Sequence, residues 1–217
     1  MSGRYSQSAS FEVLRNRFGL DLASLDIRPR YNIAPGQVVP LAVAGKSRYL
    51  KAMRWGLIPS WVKDFSFGEG SFNVRAETLM EKTSFKSSFQ KRRCLVLADG
   101  FYEWEKQGRT RLPHYVTLKS RAAFFFAGLW EPERADTPAA FAIVTTAPNA
   151  LLQPIHDRMP VMLGPNSGPA WLGDEPLAAA QLARLGRPLR ADLMTSHRVD
   201  PQVNNVRYEA PDCIASI

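Results

Sequence analysis

Glu103 lies in the stretch Asp99-Gly100-Phe101-Tyr102-Glu103-Trp104, where a carboxylate is set among aromatic side chains just after a tight Gly turn. Apolar flanks disfavour the ionised carboxyl and raise its pKa, which suits an acid that transfers protons at neutral pH. The same alternation fits a half-buried strand that turns Glu103 to solvent, and the pattern leaves both readings open. In Ile155-His156-Asp157-Arg158-Met159-Pro160 an imidazole for proton transfer stands beside a guanidinium suited to a phosphate. A loop ion pair between Asp157 and Arg158 is the competing reading. Asn73 and Arg75 alternate in Phe72-Asn73-Val74-Arg75 and so share one face of an extended segment, an amide to orient a reactant and a guanidinium to hold a phosphate. Asn73 as a helix or turn cap competes with that role.

Holding such groups in one cleft needs a scaffold, and the pattern predicts mostly strands. Ser10 as N-cap, Phe11, Leu14 and Phe18 on one stripe, and Gly19 as a stop predict a short amphipathic helix near the start. Beyond Pro29, Pro35 and Gly36, a β-rich run turns at Gly45-Lys46-Ser47 and returns as a hairpin through Arg54-Trp55. Residues 58–70 are rich in Pro, Gly, Ser and aromatics with neither period and predict a loop facing a ligand. Short helices are expected over Ala76–Lys82 and Ser84–Lys91. Four strands follow, over 93–106, 112–118, 122–130 and 139–147, with turns near Gly108, Ser120 and Asp136. A helical turn, a break around His156 and another strand come next, then an Ala/Leu-rich helix ending at Gly186 and a strand near 191–199. The predicted fold is α+β: a single domain over 1–217, built on a strongly curved antiparallel β-sheet system with short flanking helices.

A 217-residue chain with 45% hydrophobic and 22% charged residues has the composition of a folded globular protein, not of a disordered tail. Its net charge of +8 favours polyanionic partners, and arginines beside aromatic residues, as in Arg54-Trp55 and Arg4-Tyr5, suit a single strand better than a duplex. Cys94 and Cys213 lie in or beside apolar stretches without metal spacing and are expected to be reduced core residues. No apolar stretch approaches the length of a membrane span, so a cytoplasmic protein is expected, nucleoid-associated if bacterial. HExxH, P-loop, GxSxG and zinc spacings are absent, and the three histidines, His114, His156 and His197, fall in separate segments. Neither a metal nor a cofactor is expected.

Taken in order, Gly3-Arg4-Tyr5, residues 30–37 (RYNIAPGQ), 54–61 (RWGLIPSW), 72–78 (FNVRAET), 92–104 (RRCLVLADGFYEW), 143–149 (IVTTAPN) and 155–163 (IHDRMPVML) closely resemble the SOS-response-associated peptidase family. Its members shield and crosslink abasic sites in single-stranded DNA. The resemblance runs over nearly the whole chain, and the joint occurrence of these motifs makes it specific.

The resemblance implies that Met1 is removed, and that the α-amine of residue 2 attacks the ring-opened aldehyde of an abasic deoxyribose to form a Schiff base. The family's Cys then closes a thiazolidine. An α-amine with a pKa of about 7.7–8 is partly uncharged at neutral pH, where a lysine is almost wholly protonated. By the same resemblance Asn73 orients the terminal residue, Glu103 shuttles protons, and His156 assists sugar ring opening. Arg4, Arg75 and Arg158 match positions that grip phosphates, and Trp61 matches a residue that stacks at the lesion. The implied partner is single-stranded DNA containing an abasic site, bound by a monomer. Position two departs from the family: it is Ser2, whose hydroxyl is a poorer nucleophile than a thiolate, so a durable crosslink is expected to be impaired. A non-covalent DNA-binding module and a self-processing N-terminal peptidase are the alternatives.

Overall fold

In the computed structural model the described residues are all except 1–2, 11, 14–27, 45–48, 59–70, 82, 135–136 and 174. The helix expected around 11–18 and the turns at 45–47 and near Asp136 fall mainly or wholly outside them, as do Ser2, Trp61 and most of the predicted loop 58–70.

Five strands form an antiparallel sheet in the order β13-β8-β7-β1-β2: β13 (Met194–Arg198), β8 (Thr110–Leu118), β7 (Gly100–Gln107), β1 (Arg4–Gln7) and β2 (Arg30–Ile33). The second sheet contains β3 (Val38–Val43), β4 (Tyr49–Trp55), β6 (Arg93–Ala98), β9 (Phe124–Glu131) and β10 (Ala140–Thr146). Its path β10-β4-β3-β6-β9 returns to β10, so these strands close into a ring. The short strands β5 (Asn73–Arg75), β11 (Met159–Pro160) and β12 (Met162–Leu163) attach at β10 and β9. Curvature is as the sequence predicts, but the pairing is not wholly antiparallel. β10 runs parallel to β4, Ala140 opposite Arg54, and parallel to β5, Ile143 opposite Asn73. Parallel neighbours need a long crossover, and the chain carrying β6 to β9 supplies it.

The apolar runs in β6, β9 and β10 follow from burial on both faces. Leu95, Leu97, Ala127 and Val144 pack beneath Phe89 of α1 (Thr83–Lys91), Trp171 of α2 (Ser167–Leu172) and Leu182 of α3 (Ala179–Leu185). Their alternating neighbours Val96, Phe126, Phe141 and Ile143 pack against Tyr5, Ile33, Phe101 and Val116 of the five-stranded sheet. Arg93 joins the helical layer to the ring: its guanidinium donates to the carbonyls of Phe89 (2.7 Å), Gln90 (2.9 Å) and Trp171 (2.7 Å), which the ends of α1 and α2 leave open. The helix expected over 76–82 is only a 3₁₀ turn, Ala76–Thr78. Among the described residues no helix is long and apolar enough to cross a membrane.

The single strand expected over 93–106 is two strands in different sheets, β6 and β7, divided at Asp99. The Asp99 carboxylate accepts from Ser6 Oγ (2.5 Å), Ser8 N (2.6 Å), Ser8 Oγ (2.7 Å) and Ala9 N (2.6 Å), pinning the start of the chain to this junction. Gly100 follows because Tyr115 lies across it: a Cβ there would sit 2.1 Å from the phenol oxygen. Asp99→Asn should therefore cost roughly 3 kcal/mol, since an amide nitrogen would face donors it cannot accept from. A denaturant midpoint unchanged from wild type would show that these bonds contribute nothing beyond what water supplies.

Candidate active site

The turn after β10 brings an imidazole up to one buried carboxylate. Glu103, fourth residue of β7, is 1% exposed, which decides against the solvent-facing reading. Antiparallel neighbours β1 and β8 flank β7 on both edges.

His156 arrives on the turn after β10, and Asn149 builds that turn. Its Oδ1 accepts from the N–H groups of Leu151 and Leu152, both at 3.1 Å, and its Nδ2 donates to Leu189 O at 2.7 Å. The His156 N–H then closes the turn on Leu152 O at 2.8 Å. His156 Nε2 stands 3.9 Å from Glu103 Oε2, with the imidazole one-fifth exposed. On the other side, Nδ1 lies 3.0 Å from the backbone N–H of Arg158, a group that can only donate. Nδ1 also lies 3.2 Å from Arg158 O and 3.1 Å from Asp157 Oδ1, so both tautomers of the neutral ring find partners there, while Nε2 is the nitrogen that faces Glu103. Burial holds the His156 pKa below its ordinary value near 6.5. At 3.9 Å the pair is beyond direct hydrogen bonding, and a reacting oxygen or nitrogen between them can be addressed by both.

Arg158 is paired, though not with Asp157. Its two terminal nitrogens grip Glu77 in a fork, each at 2.8 Å, and Nη2 also donates to Thr145 O at 2.7 Å. Asp157 lies instead 3.1 Å from His156 Nδ1. The fork holds the Glu77 carboxyl below the usual carboxylate range. Thr145 is also the register partner of Arg75, so β10 sets Arg158 and Arg75 at the same level. Val74 turns into the core while Asn73, half-buried, and Arg75, exposed, occupy the opposite face. Leu57 and Ser71 pair through two backbone bonds of 2.9 and 3.0 Å, which anchors the chain two residues before Asn73.

Arg4 is committed within the protein. It donates to Asn32 Oδ1 (2.7 Å), Val203 O (2.5 Å) and Asn204 O (3.0 Å), tying β1 to β2 and to the 3₁₀ turn Pro201–Asn204. His114 pairs with Glu105 at 3.1 Å and His197 Nε2 lies 3.0 Å from Ile214 O, so neither joins His156. Both cysteines are buried free thiols. Glu77, Thr145 and Asn149 escaped the sequence reading. Their roles rest on partners far along the chain, and none sits in a pattern that names its partner.

The profile of the SOS response associated peptidase (SRAP) family matches residues 1–206. The chain belongs to the SRAP family. Among SRAP relatives, the abasic site processing protein YoqW of Bacillus subtilis (strain 168) is 37% identical over 223 residues, covering 100% of both chains. The abasic site processing protein HMCES of Xenopus tropicalis is 33% identical over 225 residues, covering 88% of this chain and 67% of its own. A crystal structure of a protein from Bacteroides thetaiotaomicron shares the SRAP architecture described above, with a TM-score of 0.82 at 25% identity over 99% of both chains.

Proposed function

We propose that this protein processes abasic sites in single-stranded DNA by covalent attachment through the α-amine exposed when Met1 is removed. The observation that carries the reading is the buried Glu103 facing the Nε2 of His156 beside the start of the chain. β1 pairs with β7 as far as Arg4 opposite Tyr102, the residue before Glu103. Relatives named as abasic site processing proteins supply the substrate class.

In this mechanism the lone pair of the α-amine adds to the aldehyde carbon of the opened deoxyribose. Glu103 relays the proton lost by nitrogen to the departing hydroxyl, water leaves, and an imine remains. His156, starting as the neutral ring, relays the proton of the C1 hydroxyl through Nε2 to the ring oxygen as the sugar opens, while Asn73 orients the terminal residue. Arg75 holds a flanking phosphate. Arg158 does so on exchanging Glu77 for it, and Trp61 stacks at the lesion. Arg4 serves mainly by holding β1 in place.

Arg75→Ala should weaken binding to an abasic oligonucleotide and reduce the slope of log affinity against log salt by about 0.7, the share of one phosphate contact on a single strand. The trapping rate at saturating DNA should stay near wild type; a slowed rate with unchanged affinity would assign Arg75 to the chemistry instead.

The pH profile carries a second signature. The amine is protonated below about 7.7, which gives the log rate a slope of one. Below His156's own midpoint, itself under about 6.5, the neutral imidazole is lost as well and the slope becomes two. His156→Gln should show a slope of one throughout. The same ring sets a stability trend: the unfolded chain binds its proton first, so folding stability declines as pH falls from about 6.5 toward the folded midpoint and then levels off.

Ser2 favours a second reading, a protein that shelters the lesion without a lasting bond. Borohydride separates the two: a reduced adduct on abasic single-stranded oligonucleotide supports the first, and tight binding with no trappable species supports the second.

A further inference from the structure

A cavity of about 390 Å³ lies beside β8 and β12, lined by Leu118, Phe124, Met162, Leu163, Leu189 and Leu193. No side chain of its own fills it from Gly164, where an added Cβ would meet nothing within 4 Å. A second cavity, about 430 Å³, shares Met162, Leu163 and Leu189 with the first and continues past Arg184, Arg187 and Arg190. Together they make one groove, an apolar cup opening into a basic channel.

The charges in this groove are unbalanced. Among the described residues, Lys119, Arg184, Arg187 and Arg190 line it against one carboxylate, Asp192, which Arg190 already holds at 2.5 Å. Arg184 and Arg187 are exposed and have no side-chain partner among the described residues. Leu193 remains 47% exposed at the lip of the cup. We propose that this groove docks a segment of a partner protein, an acidic peptide whose bulky apolar residue anchors in the cup while its carboxylates lie along the arginines.

The lining favours a peptide over a second stretch of nucleic acid. Bases bind single-strand grooves by stacking on exposed aromatic faces. Among the described residues the one aromatic ring lining this groove, Phe124, is 2% exposed, and the rest of the cup's apolar lining is aliphatic or Met. An aliphatic or aromatic side chain gains from such a lining without stranding polar edges, and acidic neighbours complement the arginines. The proposal does not depend on the abasic-site chemistry.

The test is fluorescence anisotropy with full-length protein and a fluorescein-labelled Glu-Asp-Asp-Glu-Ile-Leu peptide. Saturable binding is expected, lost when Ile and Leu in the peptide become Ser. Gly164→Leu fills the cup from a different element than the arginines, and Arg184→Glu with Arg187→Glu reverses the channel. Each should weaken binding by about tenfold or more while leaving the thermal melt and borohydride-trapped adduct yield at wild-type values. Absence of saturable binding, or affinity indifferent to both variants, overturns the proposal. So does an oligothymidylate that displaces the peptide and itself requires Arg184 and Arg187, which would mark the groove as a nucleic-acid track.

Discussion

Glu103→Gln should slow formation of the borohydride-trapped adduct by about 10²-fold or more, the usual contribution of a positioned acid–base group. The amide is nearly isosteric and keeps a polar group at a site only 1% exposed, so folding should survive. It cannot accept the amine's proton or deliver one to the departing hydroxyl. Affinity for abasic DNA should change little, because Glu103 is buried and is not expected to meet phosphate. Equal losses of affinity and rate would mean that Glu103 shapes the cleft and does not move protons. A rate close to wild type would remove it from the mechanism.

Ser2→Cys should convert a transient adduct into one that survives denaturation without reductant. On the proposed mechanism the α-amine makes the imine in both forms. In the variant the thiolate then adds to the imine carbon, closing a five-membered thiazolidine with no oxidant or reductant required. The Ser2 hydroxyl stays protonated at neutral pH and is the weaker nucleophile, so its oxazolidine reopens and water releases the sugar. After denaturing electrophoresis without borohydride, the Ser2 form should show almost no shifted band and the Cys variant most of its protein shifted. Persistent crosslinks from the Ser2 protein would overturn the assigned role of the thiol, and an inert Cys variant would argue for the sheltering reading.

Local pattern carried much of this site, and distance along the chain hid the rest. Alternation alone set Asn73 and Arg75 on one face, as the buried Val74 between them requires. Pro154 and Pro160 bracket the break that carries His156, and both are visible in the sequence. Whether Glu103 is buried could not be read from its own strand, because it depends on β1, which arrives from nearly 100 residues earlier. Arg158 and Glu77 are separated by 81 residues, so the neighbouring Asp157 is the more visible partner in the sequence and the wrong one. Arg4 lies beside the chain's first residues, yet Asn32 and the carbonyls of Val203 and Asn204 occupy it. The break at Asp99 was hidden for the same reason: its cause is the set of donors on Ser6, Ser8 and Ala9. The parallel pairings of β10 likewise follow from closing the ring, a property of the whole sheet.

Peptide mass mapping of the borohydride-reduced adduct tests the covalent mechanism most directly. Protein reacted with abasic single-stranded oligonucleotide would be reduced, digested with nuclease and protease, and searched for the deoxyribose remnant. The remnant should sit on the α-nitrogen of the peptide that begins at Ser2, and nowhere on the 8 lysines. A remnant carried by a lysine, with the N-terminal peptide unmodified, would contradict the mechanism at its root.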